Sequence, residues 1–158
     1  MSGQLSPADV LELRHVNARY ARALDLDQPE LLYDVFAADM LLEFHPLDAP
    51  SMRFDGLASF LSRPPVPFQA QHFLSNQEFE ACPDGARGHS YVLGQHWRAA
   101  DPTVLYLIGA RYEDSYRGGP GGWRIAERHC YYLWTQGNPA VLTGPAGHRP
   151  SPAQKETL

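Results

Sequence analysis

An α+β fold is predicted here: N-terminal helices across a curved, mostly antiparallel sheet, forming a cone with an internal pocket. Three observations support it. Apolar residues recur at helical spacing only ahead of the proline-rich run at 63–67. From there to about Gly137, stretches rich in aromatic and β-branched residues are separated by Pro83-Asp84-Gly85, Asp101-Pro102 and Gly118 to Gly122, the punctuation of successive hairpins. Helices first and hairpins afterwards is the order of an α+β domain, not the alternation of a parallel sheet.

Ser6-Pro7-Ala8-Asp9 begins the first helix with a serine cap, proline in the first turn and an early acid. Val10, Leu13, Asn17, Tyr20 and Leu24 mark its inner stripe, and Asn17 and Tyr20 need polar partners if buried there. Asp27 and Pro29 suggest the start of a second short helix, with Leu31, Leu32, Val35 and Phe36 inward. Met40 to Phe44 reads as a strand closed by His45-Pro46. A third short helix is expected over Asp55 to Leu61, and an extended link over Arg63 to Pro67. Strands then follow at Gln71 to Glu80, Gly88 to Arg98, Thr103 to Asp114 and Trp123 to about Thr135. The chain thus divides into a domain over 1–136 and a Pro/Gly-rich C-terminal arm over 137–158.

The strand Gln71 to Glu80 holds the residues of most chemical interest. Alternation places His72, Leu74 and Asn76 on one face, opposite Phe73, Ser75 and Phe79. An imidazole and an amide beside a leucine have the composition of a small-molecule pocket wall.

Composition narrows the function classes. The 158 residues carry a net charge of −5 and no basic run, which argues against nucleic acid as a partner. No apolar stretch has the length of a membrane span, and Met1 to Pro7 lacks the pattern of a signal peptide. Cytoplasmic location and free thiols at Cys82 and Cys130 are therefore expected. The seven histidines show no metal-ligand spacing, and glycine-rich phosphate loops and Gly-x-Ser-x-Gly are absent, so neither metal nor cofactor is expected.

Tyr20-Ala21-Arg22-Ala23-Leu24-Asp25, Phe36, Asp39, His72, Asn76, Gly109 to Asp114, Gly122-Trp123-Arg124-Ile125 and Arg128 form a pattern that resembles the SnoaL-like family. That family belongs to the nuclear-transport-factor-like cone superfamily, and the resemblance covers roughly residues 5 to 136. Within it, the pattern is similar to the branch of scytalone dehydratase, bile-acid dehydratase and hexachlorocyclohexane dehydrochlorinase. The resemblance implies a catalytic pair, Asp25 with His72, and a site tyrosine at Tyr20. His96 falls near a second site histidine of that branch. A homodimer or homotrimer is also implied.

An aspartate behind a histidine makes an oriented general base. It suits elimination of water from a hydrophobic, cyclic hydroxy-ketone, with Tyr20 donating to the developing enolate, alone or with His96. Asn76, His96, His129, Tyr131 and Asn17 are candidate substrate contacts, and Phe44, Phe54, Phe68 and Trp97 candidate walls. Arg128 is read as a partner for surface or interface acids. The same proton shuttle would serve an isomerase or a polyketide-type cyclase. A non-catalytic binding or assembly module on the same fold is the third reading, and it predicts that Asp25 and His72 need not touch.

Overall fold

The computed structural model describes residues 4–45, 51–53 and 68–143. The expected helix at Asp55 to Leu61, the link at Arg63 to Pro67, Phe54 and the tail from Gly144 lie outside the described residues.

Helix α1 spans Pro7–Asp25. Its start is a complete capping box: the Asp9 N–H donates to Ser6 Oγ at 3.1 Å, and the Ser6 N–H donates back to Asp9 Oδ2 at 2.9 Å. The inner stripe buries Leu13, Val16, Asn17, Tyr20 and Ala23. Its first turn is also tied to the sheet, because the Trp123 indole N–H donates to Asp9 at 3.0 Å and the Trp123 backbone N–H donates to Glu12 at 3.1 Å.

A 3-10 helix, Pro29–Asp34, replaces the second helix. Asp27 is not its cap but adopts a left-handed turn at φ 51°, and Gln28 holds the cap position without a side-chain bond. Leu32, Val35 and Phe36 are buried as expected, but Phe36 already belongs to the following strand.

The sheet comprises β1 (Phe36–His45), β2 (Gln69–Cys82), β3 (Gly85–Arg98), β4 (Asp101–Gly119) and β5 (Gly122–Gly137). Its order is β1-β5-β4-β3-β2. All neighbours are antiparallel except β1, which runs parallel to β5 and so brings Glu43 opposite His129 and His45 opposite Tyr131. α1 lies across the inner face, and the core gathers Leu13, Val16, Phe36, Met40, Leu42, Tyr112, Tyr116 and Ile125 between helix and sheet.

Two irregularities decide which side chains face that core. In β2 the register slips between Ser75 and Glu78, with Asn76 in the left-handed region at φ 50°. In β5 it slips between Glu127 and Ile125 against Ser115 and Tyr116 of β4, leaving Ala126 as the extra residue. Each β-bulge reverses the alternation beyond it.

After Gly137, at φ 99°, the chain folds back rather than leaving the domain. A short helix, α2 (Ala140–Thr143), buries Val141 and Leu142 against Tyr106, and Arg98 donates to the Ala140 carbonyl. The packed unit therefore reaches Thr143, and the first part of the expected arm belongs to it. Among the described residues no helix is long and apolar enough to cross a membrane.

Candidate active site

Asp25 is the last residue of α1, and His72 lies near the start of β2. The helix end and the edge strand are joined through them. Asp25 Oδ1 lies 2.6 Å from His72 Nδ1, and Asp25 Oδ2 accepts the His72 backbone N–H at 3.1 Å. A carboxylate accepts, so Nδ1 carries a proton, and in the neutral ring Nε2 holds the lone pair. Two bonds to one carboxylate fix the ring's tautomer and its orientation. The two side chains are 11 % and 23 % exposed for His72 and Asp25, shielded but reachable.

His72 pairs with Gly94 of β3, and its Nε2 edge lies over that glycine. Next on the same face is His96, 6 % exposed, whose ring meets His72 edge to face at 5.5 Å. His96 Nδ1 lies 3.2 Å from the Tyr106 carbonyl, which can only accept. The His96 Nδ1–H is therefore spent on backbone, which removes that group as the second enolate donor. The Phe68 ring leans on His96 at 5.7 Å and Leu74 continues the apolar wall. Trp97, next to His96 in the strand, takes the other face.

A depression of about 580 Å³ runs along the seam of α1 and β2 beside the pair, lined by Ala21, Arg22, Asp25, His72, Leu74 and Gln77 among others. A larger one of about 720 Å³ lies across the outer face of the sheet, around Glu80, His89, Arg111, Glu113 and His129, and includes neither dyad residue. The chemistry of the pair belongs with the smaller depression and the inner face.

Behind the pair lies a buried polar cluster that alternation alone misassigned. Beyond the β5 bulge, Arg128 points inward and is fully buried, not paired with surface acids. It donates through Nε and Nη2 to both oxygens of Asp114 at 2.8 Å, and through Nη2 to Asn17 Oδ1 at 2.8 Å. Its guanidinium is stacked between Tyr20 and Tyr112, at 4.3 and 4.2 Å from the ring centres. Burial works against that charge, but Asp114 outweighs it and holds the guanidinium protonated. Tyr116 donates to Asp114 at 2.7 Å and stands 3.1 Å from Asn17 Oδ1.

This cluster absorbs two predicted site residues. Asn17 is 1 % exposed and spends its carbonyl on Arg128 and its amide on Gln77 at 3.1 Å, so it is a structural node rather than a substrate contact. Tyr20 is 5 % exposed, wedged edge to face between Phe36 and Tyr112, with Arg128 over its ring. Burial raises its pKa, opposed by the Arg128 charge, so the phenol stays protonated. Its neighbours among the described residues place it in the arginine cluster rather than beside His72.

Three further predicted contacts lie elsewhere. Asn76 occupies the β2 bulge and is exposed, while Gln77 takes the inward position, bonded to Asn17. His129 and Tyr131 are turned to the outer face by the β5 bulge. There His129 meets Glu43 and His45, and Tyr131 stacks on His45 at 4.8 Å. Arg128 was the functional candidate most easily missed, because its facing depends on a single extra residue at Ala126.

The SnoaL-like domain family matches residues 6–129, most of the chain. The protein belongs to the SnoaL-like domain family. Solved structures agree on the fold of this SnoaL-like chain. A provisional scytalone dehydratase from Novosphingobium aromaticivorans superposes with a TM-score of 0.72 at 21 % identity, covering 82 % of this chain and 87 % of that one. A hexachlorocyclohexane dehydrochlorinase, LinA type 2, gives 0.69 at 18 % identity, covering 92 % and 99 %. A cystatin-like-fold protein of unknown function from Nostoc punctiforme gives 0.67 at 22 %, covering 82 % and 95 %. At such identities the likeness establishes the NTF2-like, cystatin-like cone and nothing finer. No curated protein matches the sequence.

Proposed function

We propose that this SnoaL-like protein is a cofactor-independent lyase in which Asp25 and His72 act as one proton-transfer unit. The observation that carries this reading is the 2.6 Å contact of Asp25 with His72 Nδ1, together with the second bond from the His72 backbone. It leaves the Nε2 lone pair directed over Gly94 on the inner face. A carboxylate placed to stabilise an imidazolium is what a histidine base needs when its proton acceptor is a single, fixed nitrogen.

In this reading Nε2 takes a proton from the carbon next to a substrate carbonyl, and the C–H electron pair moves into the enolate. Asp25 stabilises the resulting imidazolium. The enolate then expels the β-hydroxyl, which leaves as water after taking the proton back from Nε2. Proton and electrons balance with no external reagent. Apolar walls at Leu74 and Phe68 favour a hydrophobic, cyclic hydroxy-ketone. Structural relatives that include a provisional scytalone dehydratase and a dehydrochlorinase support an elimination chemistry.

The test is exchange and turnover in deuterated water with cyclic β-hydroxy-ketones. Wild-type protein is expected to exchange the α-proton and release the unsaturated ketone. His72→Ala and Asp25→Asn are expected to lose both, by roughly a hundredfold to ten-thousandfold for His72→Ala. Exchange without loss of water would move the assignment to an isomerase or cyclase. Equal exchange by wild type and His72→Ala would overturn the proton-transfer role altogether.

A further inference from the structure

On the outer face of the sheet, Glu43 and His45 of β1 meet His129 of β5. The sequence separation of the two imidazoles is 84 residues, and only the parallel pairing of β1 with β5 joins them. His45 Nε2 stands 3.3 Å from His129 Nδ1. Glu43 Oε2 stands 3.5 Å from His45 Nε2 and 3.2 Å from His129 Nδ1. The three donor atoms form a nearly equilateral triangle.

That triangle has the dimensions of one face of a small tetrahedral coordination sphere. Ligand atoms 2.0–2.1 Å from a common ion at tetrahedral angles stand about 3.3–3.4 Å apart. A proton can bridge only one edge of such a triangle at a time, whereas a cation satisfies all three atoms together. We propose that Glu43, His45 and His129 form a binding site for a divalent late first-row metal ion of the zinc type, with a fourth position open to water or an incoming donor.

The donor set and its surroundings agree with this choice. Two imidazoles and one carboxylate suit zinc, and they are too few in oxygen for calcium or magnesium. The ligands are held by further contacts. Ser51 Oγ donates to Glu43 Oε1 at 2.6 Å, which leaves Oε2 for the ion, and Tyr131 stacks on His45 at 4.8 Å. The side chains of His45, Glu43 and His129 are 39, 28 and 31 % exposed, open to an ion arriving from solvent. Among the described residues β1 is the edge strand beside β5, so an ion here would clip that edge in place.

The experiment is calorimetric titration of untagged, chelator-stripped protein with zinc chloride, paired with visible spectra of the cobalt(II)-loaded protein. One zinc per chain is expected, with a rise in Tm on loading. His45→Ala and His129→Ala should each weaken binding roughly tenfold or more, whereas His72→Ala should bind as wild type. Intense four-coordinate cobalt bands should appear in wild type and vanish in Glu43→Gln, a near-isosteric change that preserves the fold. No zinc uptake by wild type would overturn the site, as would uptake that persists in His45→Ala and His129→Ala or that follows His72.

Discussion

Gly94 lies opposite His72 in the β2–β3 pairing, and a β-carbon there would stand 3.2 Å from His72 Nε2 and 3.1 Å from His96 Cε1. Both rings would have to give by a few tenths of an ångström. His72 can do so only by loosening two bonds to Asp25. Gly94→Ala is therefore expected to fold and to lose roughly tenfold to a hundredfold in kcat, since small misplacements of a catalytic group have large effects. Unchanged kcat in a variant with native circular dichroism would show that the ring's position is not critical. The buried Arg128–Asp114 pair behaves differently, because its effect is on stability. Asp114→Asn keeps the shape but leaves the fully buried guanidinium without its counter-charge. Loss of one member of such a pair costs about 3–5 kcal/mol, readable as a fall in the urea midpoint. A change below about 1 kcal/mol would mean that the two tyrosine faces suffice to hold the charge.

At the scale of elements, the bulge in β2 carries a prediction of its own. Asn76 sits at φ 50°, a conformation that asparagine and glycine tolerate and β-branched residues do not. Asn76→Gly is expected to be near neutral, and Asn76→Val to lose about 1–2 kcal/mol in chemical denaturation, both with unaltered KM. A raised KM in Asn76→Gly would restore the amide as a substrate contact. This bulge and its counterpart at Ala126 explain what the sequence could and could not disclose. The serine cap, the helical stripe through Leu13 and Tyr20, and the hairpins between β2 and β5 follow from local periodicity and turn chemistry, and all were legible. Asp25 and His72 were legible through a family pattern. Side-chain facing beyond a bulge was not, because one unpaired residue inverts every later position. That single effect moved Asn76, His129 and Tyr131 off the inner face and drew Arg128 into the core. The parallel β1–β5 pairing is likewise a long-range event, so no spacing rule along the chain reveals the Glu43, His45 and His129 cluster.

For the molecule as a whole, the buried acids of the core set a direction for stability at high pH. Burial pushes the Cys130 thiol up to about 12, from an ordinary value of 9.0. Burial likewise raises Tyr20, and raises Tyr112 and Tyr116 well above the usual tyrosine value, with Asp114 adding to the effect at Tyr116. All four groups are neutral when protonated and all are protected by folding. Above pH 9 the unfolded chain begins to release protons that the folded chain retains, so the folded state binds more protons and stability falls as pH rises. The contribution is complete below the unfolded pKa values and is lost progressively as pH climbs toward the folded ones. On the acid side, Asp9, Asp39 and Glu43 are held below their ordinary values by the Ser6, Arg117 and Ser51 contacts, and what they contribute is lost as pH falls through those lowered values. Asp39 is solvent-exposed and Asp9 and Glu43 are partly so, and their effect is small beside that of the core. A Tm measured from pH 6 to 11 is therefore expected to be level to about pH 9 and to decline beyond it. In Cys130→Ala the decline should be shallower, because one of the four buried acids is gone. A Tm that stays level to pH 11 would mean that the inner face admits hydroxide and ionises without unfolding, which would place water where the arginine cluster now excludes it.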